Sequence, residues 1–370
     1  MSIPTSTRAA VLTGHGEPLH LTDLPLPAEL EPGAALVRVS CATLCGTDVE
    51  IWSGKMSFPG MLPMVLGHEM VGEVVAVGES TRDALGREIP VGARIGWSES
   101  TCGECHGCTV LRQPVACSRR GYGFLQRSDV PPYATAGLSE YAYVVPNAAK
   151  LLLPDEVPDT WAAMAGCAAK TVLRAYGRAG GVRPGSAVVV QGSGALGLFA
   201  TAVARISGAG TVLTVGAPAS RLALAAEFGA DATVDVGGTG SEEIAERVRE
   251  LTGGHGGDLV LDFAGAPSVG REAVAMAAQR GTIVVVGTTG PADVPVPLGA
   301  VMGKELTVVG SLNGDIADYH EAISFFRTFA GRMPWDKLFG TPSGLSSASG
   351  RITAMHRLDE VKAVIDPRLP

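Results

Sequence analysis

The sequence predicts an α/β protein of two domains, in which a mainly-β domain precedes a doubly wound parallel sheet with helices on both faces. Its 370 residues exceed the usual size of a domain with a single core. Near residue 160 the pattern changes from short β-branched runs separated by Gly and Pro to strands that alternate with helices. This alternation is typical of a parallel sheet, because each crossover connection places a helix on one face.

The predicted elements follow this division. The first part has strand candidates at Ala35–Val39, Val71–Val77 and Glu140–Val145. The second part alternates strand and helix candidates, in chain order Ala187–Gln191, Leu196–Ser207, Thr211–Val215, Ser220–Phe228, Ala232–Asp235, Leu259–Asp262, Thr282–Val286 and Glu305–Gly310. The tail has a helix candidate at Tyr319–Phe329, a Gly/Ser-rich loop at Gly340–Gly350 and a strand at Ala363–Ile365. Because this tail is too short for its own core, we expect a domain of residues 1–160 to which 312–370 return, and a second domain of residues 161–311 that contains the parallel sheet.

Charge and cysteine usage exclude several classes of function. The formal net charge of −8 argues against a nucleic-acid partner, because affinity for phosphate backbones comes largely from Lys and Arg. No apolar run reaches the roughly 18 residues of a membrane-spanning helix, and Met1–Leu12 lacks a signal-peptide pattern. We therefore expect a cytoplasmic protein, away from the membrane, that acts on a small molecule. The odd count of 7 cysteines argues against a disulfide framework.

A glycine-rich loop directly follows a buried strand and directly precedes a helix. It reads Gly192–Ser193–Gly194–Ala195–Leu196–Gly197, the G-x-G-x-x-G pattern of dinucleotide binding. Gly192 permits the tight turn, Gly194 lets the backbone approach a pyrophosphate, and Gly197 allows close packing of helix on strand. The helix N-terminus then faces the phosphates. An ordinary glycine turn is the alternative.

The end of the second strand bears on the choice between NADP and NAD. NAD-binding domains usually have an acid there that binds the adenosine ribose, whereas this strand ends in Gly216. Gly216 leaves room for a 2′-phosphate, and Ser220 and Arg221 are candidates to contact it. We therefore place NADP ahead of NAD. In the alternative interpretation, Arg221 is a solvated residue at the helix start and NAD is held through the backbone.

Four cysteines in one short loop predict a structural zinc site. Their spacing is Cys102-x-x-Cys105-x-x-Cys108-x8-Cys117, and four thiolates form a closed tetrahedral site. A redox dithiol or an iron–sulfur cluster is the alternative. His106 lies in the same loop, and we expect it to be exposed because four thiolates complete the site.

A second set of metal-binding residue types is dispersed along the chain. Cys45, His68 and Cys167 supply three protein ligands, which leaves a fourth zinc position for water or substrate. Each residue alone has an ordinary explanation, a small buried cysteine or a core histidine. Together they indicate a catalytic zinc, and hence two zinc ions per chain.

The motifs together resemble those of the zinc-containing medium-chain alcohol dehydrogenases. Cys45–Gly46–Thr47–Asp48, Gly67–His68–Glu69, the four-cysteine loop and the glycine-rich loop occur in that family's order, and the resemblance covers essentially the whole chain. It implies an α/β fold with a GroES-like mainly-β catalytic domain and a Rossmann domain. It also implies reversible hydride transfer between a primary or secondary alcohol and NAD(P), which gives an aldehyde or ketone. We expect a homodimer or homotetramer.

By position, the resemblance assigns roles around the catalytic zinc. Cys45, His68 and Cys167 match its ligands, and Glu69 lies beside the metal as a candidate transient ligand. Asp48 matches the carboxylate that orients His68.

Other positions match the family's proton relay and cofactor contacts. Thr47 matches the relay hydroxyl, and Glu50 stands where many members carry a histidine that ends the relay. Thr171 matches a residue near the nicotinamide, and Val286–Gly287–Thr288 resembles the strand end that meets the carboxamide. Lys362 matches a cation near the pyrophosphate, with a solvated lysine as the alternative.

The sequence leaves the substrate and several rival functions open. Glu50, Trp52, Trp97 and Glu99 are candidates for the pocket wall. An acidic pair would favour polyols or amino alcohols, and a Trp-lined wall would favour cyclic alcohols. The rivals are a zinc-ribbon binding module, a metal-free reductase or non-catalytic binding protein on the same fold, and a lyase or synthase with a hidden redox step. Net acidity and the dinucleotide loop argue against the first, and the three dispersed zinc ligands argue against the second.

Overall fold

The computed structural model describes residues 3–287 and 294–370, which form two compact units. The first unit contains the described residues up to Lys170, together with Gly314–Thr328 and Phe339–Pro370. The second contains the described residues of Thr171–Asn313 and the segment Phe329–Leu338.

Apart from residues 312–313, which shift the predicted boundary slightly, two segments lie in a different unit from the one that the sequence predicts. Residues 161–170 lie in the first unit, where the ring centroids of Trp161 and Phe326 are 5.5 Å apart. Residues 329–338 lie in the second unit, because Trp335 is buried there among aromatic rings. Both placements depend on contacts between residues far apart in the sequence, which no local pattern marks.

The first unit is mainly β, as predicted, and its strands pair antiparallel. One sheet has the strand order His20–Pro25, Ser6–Leu12, Met64–Val65. The larger sheet has the order Val364–Ile365, Ala35–Thr43, Glu69–Val77, Arg94–Ser100, Ala148–Leu152, and Tyr141–Val144 also pairs with Ala35–Thr43. Its α-helices are Gly46–Trp52, His106–Thr109, Asp159–Met164, most of Ile316–Phe329, and Ala348–His356.

Strand Ala35–Thr43 organises the core of this unit. Only Arg38 of its nine residues is exposed, because other strands pair with it on both sides. Its far end carries Thr43, which pairs in register with Glu69 at the start of the next strand. The pairing brings the residues around Glu69 next to the loop that contains Cys45.

The second unit confirms the predicted doubly wound sheet. All of its strand pairs are parallel, in the order Ala232–Asp235, Thr211–Gly216, Ala187–Gln191, Gly257–Asp262, Ala277–Val285, Thr307–Gly310. Its helices are Lys170–Arg178 beyond Lys170, Ala195–Ile206, Ala219–Glu227, Ser241–Leu251, Val269–Met276 and Leu298–Gly303. In such sheets a dinucleotide binds outside the carboxyl ends of the strands, where the strand order reverses. Here that point lies after Ala187–Gln191.

The structure corrects the predicted tail. The sequence predicts a loop over Gly340–Gly350, but a helix begins within it at Ala348 and continues to His356. Ile352 and Met355 of this helix are buried, and their burial stabilises a segment whose Gly and Ser residues favour a loop. Among the described residues, no helix combines the length and apolarity that crossing a membrane requires.

Candidate functional site

The dispersed metal-binding residues meet in the first unit. One ligand atom from each of Cys45, His68, Glu69 and Cys167 lies within 4.8 Å of the others. Cys45 precedes helix Gly46–Trp52, and its backbone N–H donates to the Asp48 carboxylate at 2.8 Å, which fixes the start of that helix. Two sulfurs, one imidazole nitrogen and one carboxylate oxygen are donors that zinc accepts in proteins.

A fully buried carboxylate orients the histidine of this cluster. Asp48 accepts from the Gly67 backbone N–H at 3.0 Å, and its Oδ1 lies 3.3 Å from Nδ1 of His68. Burial disfavours a charge on the imidazole, but Asp48 and Cys45 raise the pKa of His68 above its usual value. The arrangement leaves Nε2 of His68 as the nitrogen that could bind a metal, and Asp48 is the kind of outer partner that metal-bound histidines need.

The sulfur atoms of the cluster influence each other. Hydrogen bonding with Cys167 lowers the pKa of Cys45 well below its usual value, against the effect of burial, and His68 contributes in the same direction. A thiolate is the form of cysteine that binds metals. The local environment of Cys45 therefore already favours the metal-binding state.

Glu69 is held by three donors. The Thr43 hydroxyl and the Lys362 ammonium donate to Oε2, and the Ala168 backbone N–H donates to Oε1 at 3.3 Å. Burial raises the pKa of Glu69 to about 7, although Lys362 acts in the opposite direction. The sequence assigns Lys362 to the cofactor pyrophosphate. In the structure its ammonium is buried against Glu69 and lies 3.4 Å from the Leu44 carbonyl.

The candidates for the proton relay and for the pocket wall have different surroundings in the structure. Thr47 lies half-buried on helix Gly46–Trp52, two residues after Cys45. Glu50 forms an ion pair with Lys55 at 2.9 Å, and Trp52 donates to the Glu17 carbonyl at 2.8 Å.

A cavity of about 200 Å³ lies beside His68. Trp97 and Glu99, two of the candidate wall residues, line it together with Tyr122 and Phe124. The Phe124 ring packs on the His68 imidazole with centroids 4.4 Å apart. The lining therefore combines aromatic rings, one of them against His68, with hydroxyl and amide groups.

The four-cysteine loop has the geometry of a closed tetrahedral site. The Sγ atoms are 3.6 Å apart in Cys105–Cys108 and 3.5 Å apart in Cys102–Cys117, and all four lie within 4.8 Å of one another. A tetrahedron with zinc–sulfur bonds of about 2.3 Å has edges of about 3.8 Å, whereas a disulfide would need about 2.05 Å. The four cysteines are free, and His106 is exposed.

Backbone donors surround these thiols. The N–H groups of Cys102 and Arg119 each donate to Sγ of Cys117 at 3.4 Å. Hydrogen bonds from backbone groups, that of Ser118 first, lower the pKa of Cys105 to about 5. Burial raises the pKa of Cys108 to about 12, so the surroundings favour the zinc-binding thiolate at Cys105 and not at every cysteine of the loop.

The glycine-rich loop borders a cavity of about 610 Å³ in the second unit. Gly192 has a φ of +113°, a conformation that other residues rarely adopt. At Gly197 a Cβ atom would lie 1.8 Å from the Gly192 carbonyl oxygen, so only glycine fits. Gly194 precedes helix Ala195–Ile206, whose first turn contains Ala195, Leu196 and Gly197. The glycines thus leave the backbone open to close approach by a pyrophosphate at the N-terminus of the helix.

The predicted phosphate contacts differ in position. Arg221 is half-buried and lines the cavity with Gly216, and burial lowers its pKa. Ser220 is exposed on the same helix. A Cβ atom at Gly216 would lie 2.7 Å from Oγ of Ser193 and 3.0 Å from its backbone nitrogen. The space next to Gly216 is therefore occupied by Ser193, more tightly than the sequence suggests.

The remaining cofactor candidates lie on the second unit. Thr171 is buried in helix Lys170–Arg178. Val286 and Gly287 follow strand Ala277–Val285, and their N–H groups donate to the Asp262 carbonyl at 3.1 and 2.9 Å. Thr288 lies outside the described residues.

The structure adds residues near the metal cluster that the sequence does not reveal. Thr43 contacts Glu69, and Lys170 and Arg120 form ion pairs with Glu99. Lys170 had one available signal, since it is a single charge within the otherwise apolar run between Trp161 and Val172. Thr43 and Arg120 had none, because they approach their partners only through the fold.

Family models match most of the chain. Residues 31–155 match the alcohol dehydrogenase GroES-like domain, and residues 195–328 match the zinc-binding dehydrogenase model. The 5-exo-hydroxycamphor dehydrogenase of Pseudomonas putida is 31% identical over 342 residues, which are 91% of this chain and 93% of that protein. Alcohol dehydrogenase 1 of Emericella nidulans is 32% identical over 328 residues, 88% and 89% of the two chains.

Solved structures are similar over almost the full length. An alcohol dehydrogenase from Thermotoga maritima has a TM-score of 0.88 at 29% identity, covering 98% of this chain and 99% of that one. A protein from Sinorhizobium meliloti 1021, described as a zinc-binding dehydrogenase and bound to NADP, has a TM-score of 0.84 at 28% identity, covering 98% and 100%.

Proposed function

The chain belongs to the zinc-containing medium-chain alcohol dehydrogenase family, and from that premise we propose that it transfers hydride reversibly between a primary or secondary alcohol and NADP. The products of alcohol oxidation are an aldehyde or a ketone. The convergence of Cys45, His68 and Cys167 beside a lined cavity is the observation that supports this proposal most. The four-cysteine loop would hold a second, structural zinc.

In this proposal Cys45, His68 and Cys167 hold the catalytic zinc. When bound, zinc supplies positive charge that stabilises an alkoxide and lowers the pKa of a bound hydroxyl toward neutrality. Asp48 keeps the imidazole of His68 oriented toward the metal side. Glu69 is available as a transient ligand, but only when it gives up contacts with Lys362 and Thr43.

The proton of the alcohol leaves through this chain's own hydroxyl and carboxyl groups. Thr47 lies two residues after Cys45, and its hydroxyl would accept the proton of the alcohol while it passes its own proton onward. Glu50 is one turn further along the chain and its carboxylate pairs with Lys55, so it provides an exit that differs from the histidine common in the family. Proton movement would then depend on an acid whose charge is already balanced by a lysine.

The cofactor proposal rests on Arg221 in the cavity of the glycine-rich loop. Arg221 supplies the positive charge among the described residues that line this cavity, and Gly216 lines the same cavity, which supports Arg221 as a contact of a 2′-phosphate. Ser220, Thr171, Val286, Gly287 and Thr288 remain proposed contacts of the dinucleotide. The Sinorhizobium meliloti protein bound to NADP supports the preference, and NAD is the alternative.

The aromatic lining near His68 favours an alcohol with an apolar body over a fully hydroxylated polyol. A cyclic secondary alcohol fits both this lining and the name of the Pseudomonas putida relative. A lyase or synthase that keeps its cofactor through a hidden redox step is the second candidate, because it would use the same site residues.

We also propose a homodimer or homotetramer formed through the outer strand of the parallel sheet. Among the described strands, Thr307–Gly310 is at the edge of its sheet, and Val308 is half exposed. Leu298 and Met302 on the preceding helix are more than 70% exposed. Unpaired strand edges and exposed apolar side chains are typical of surfaces that pair with another chain.

A panel of alcohols and carbonyl compounds, each with NADP(H) and NAD(H), tests the proposed function by absorbance of the reduced nicotinamide. We expect turnover with NADP that disappears in Cys45→Ser and after removal of the metal. Persistent activity in the metal-depleted protein would favour the metal-free reductase. Cofactor-dependent conversion without net reduction or oxidation would favour the lyase or synthase.

A further inference from the structure

A buried ion cluster lies next to the candidate metal centre. Nζ of Lys170 lies 2.9 Å from Oε2 of Glu99, and Nη2 of Arg120 lies 3.2 Å from the same oxygen. Lys170 also donates to the Ser98 hydroxyl at 2.7 Å. The side chain of Lys170 has no solvent exposure, and those of Arg120 and Glu99 are 6% and 12% exposed.

The three charges come from segments that flank both candidate zinc sites. Glu99 lies three residues before Cys102, and Arg120 lies three residues after Cys117, so both sit at the neck of the four-cysteine loop. Backbone hydrogen bonds of 2.9 Å in both directions between Ser100 and Gly121 close that neck.

Lys170 connects this neck to the other metal cluster. It follows Cys167 by three residues, directly after the π-helical turn Ala165–Ala169 that carries that cysteine. Glu99 therefore forms an ion pair with Arg120 of the loop on one side and accepts a hydrogen bond from Lys170 of the Cys167 segment on the other.

Stability alone does not account for such a cluster. Desolvation of buried charges is costly, and replacing a buried ion pair by apolar residues of similar size is often neutral or stabilising. A lysine without any solvent exposure is thus an expensive way to fill space. What an ion cluster provides is a defined distance and direction between the segments that it joins.

We propose that Glu99, Lys170 and Arg120 form a brace that fixes Cys167 relative to Cys45, so that the four-cysteine loop supports metal binding at the other site. The three are positioning residues, which act through Cys167. The inference rests on the proposed function insofar as both clusters bind metal. It predicts that a change at the brace alters the Cys45–His68–Cys167 site without touching any ligand.

The test compares two variants of the full chain. Glu99→Gln removes the central charge and keeps the size of the side chain. Lys150→Met is the matched control, because Lys150 is also buried and its ammonium donates only to the carbonyls of Val145, Pro146 and Ala148 among the described residues. The readouts are competition with a chelator for Zn²⁺ and the absorption spectrum after Co²⁺ replaces the metal at the Cys45 site.

Loss of a residue that supports a metal ligand from outside the ligand set typically weakens metal affinity by about 10–100-fold. We expect Glu99→Gln to weaken the affinity of the Cys45 site by roughly tenfold and to shift its Co²⁺ spectrum. Lys150→Met should change the melting temperature but neither readout. If the Gln variant does not fold, Glu99→Asp replaces it in the test, because Asp keeps the charge on a shorter side chain. We then expect a smaller shift of the Co²⁺ spectrum in the same direction.

A double-mutant comparison tests the link to the loop. Cys105→Ser should weaken metal binding at the Cys45 site in the parent, and should weaken it by clearly less once Glu99→Gln is present, because the connection is already broken. Strictly additive losses would overturn the brace.

The failures are distinguishable. If Cys45→Ser has the same cobalt–thiolate absorption as the parent, the Cys45 site binds no cobalt, which would overturn the proposed catalytic metal and the brace with it. Normal absorption in the parent, with the same spectrum and affinity in Glu99→Gln, would overturn the brace alone.

Discussion

Replacing Arg221 by Ala tests the proposed preference for NADP. The guanidinium lines the cavity of the glycine-rich loop and is half-buried, and burial lowers its pKa. A hydrogen bond to a charged group contributes about 1.5–3 kcal/mol, and at 1.36 kcal/mol per factor of ten this corresponds to about 10–150-fold. We therefore expect the KM for NADP to rise at least roughly tenfold, while the KM for NAD changes little.

Steady-state kinetics with both cofactors measure this effect. Arg183→Ala is the matched control, because Arg183 is an exposed arginine of the same unit that pairs with Asp258 at 3.5 Å. It should leave both KM values unchanged. Equal losses for NADP and NAD in Arg221→Ala would mean that Arg221 stacks on the adenine or supports the fold. A parent protein that prefers NAD would refute the NADP proposal itself.

Restoring an acid at the end of the strand gives a complementary result. A carboxylate at position 216 could bind the ribose hydroxyls of NAD and would repel a 2′-phosphate. The structure adds a steric cost, because a Cβ atom there would lie 2.7 Å from Oγ of Ser193. Gly216→Asp should therefore bind NADP much more weakly. Its affinity for NAD should rise only if the Ser193 side chain moves away from the new carboxylate. Unchanged NADP kinetics in this variant would contradict the proposed position of the phosphate.

Four further outcomes are expected. Elemental analysis of protein purified without added metal should give two zinc ions per chain. A value near one would contradict the catalytic zinc if Cys105→Ser abolishes the bound zinc and Cys45→Ser does not. Cys105→Ser should lower the melting temperature by at least about 5 °C, because structural zinc contributes folding free energy and each kcal/mol is worth about 2–4 °C in domains of this size; an unchanged melting curve with lost turnover would reverse the assigned roles. Asp48→Asn should weaken zinc at the Cys45 site by about 10–100-fold in chelator competition, since the amide no longer holds His68 by charge, and unaltered affinity would argue against this orienting role. Met302→Glu should shift the molecular mass in light scattering toward the monomer, whereas an unchanged assembly would exclude the proposed edge.

The parallel sheet is the part of the fold that the sequence predicts best. Its strands are short apolar runs bounded by turns, and strand Ala187–Gln191 and helix Ala195–Ile206 lie within one residue of their predicted bounds. Short elements of the first unit escape prediction, because seven-residue helices such as Gly46–Trp52 are stabilised by contacts like that between Asp48 and Cys45 and not by periodicity.

Residue types and spacing predict the members of the metal clusters but not their surroundings. The four-cysteine loop is local, so its spacing alone predicts a tetrahedral site. Glu69 and Lys362 are 293 residues apart in the sequence, and Lys170 and Glu99 are 71 apart. Only the packed fold decides that these charges meet. Lys362, unlike Lys170, does not interrupt a long apolar run, so nothing in the sequence marks it as buried and it is assigned to the pyrophosphate on resemblance alone.

Charge balance within the Cys45 cluster bears on the rival metal-free interpretation. Its thiols, imidazole and carboxylate lie within 4.8 Å of one another in a largely buried place, where unpaired polar groups are costly. Lys362 balances Glu69 and Asp48 orients His68, so these two have partners that a metal-free protein would also need. Hydrogen bonding with Cys167 and the neighbouring His68 lower the pKa of Cys45, and the thiolate that this favours is the form of cysteine that binds a metal. A divalent cation offsets that charge and accepts the imidazole nitrogen at once. Because both oxygens of Glu69 are engaged by Thr43, Lys362 and Ala168, the resting site would use three ligands and keep its fourth position for substrate.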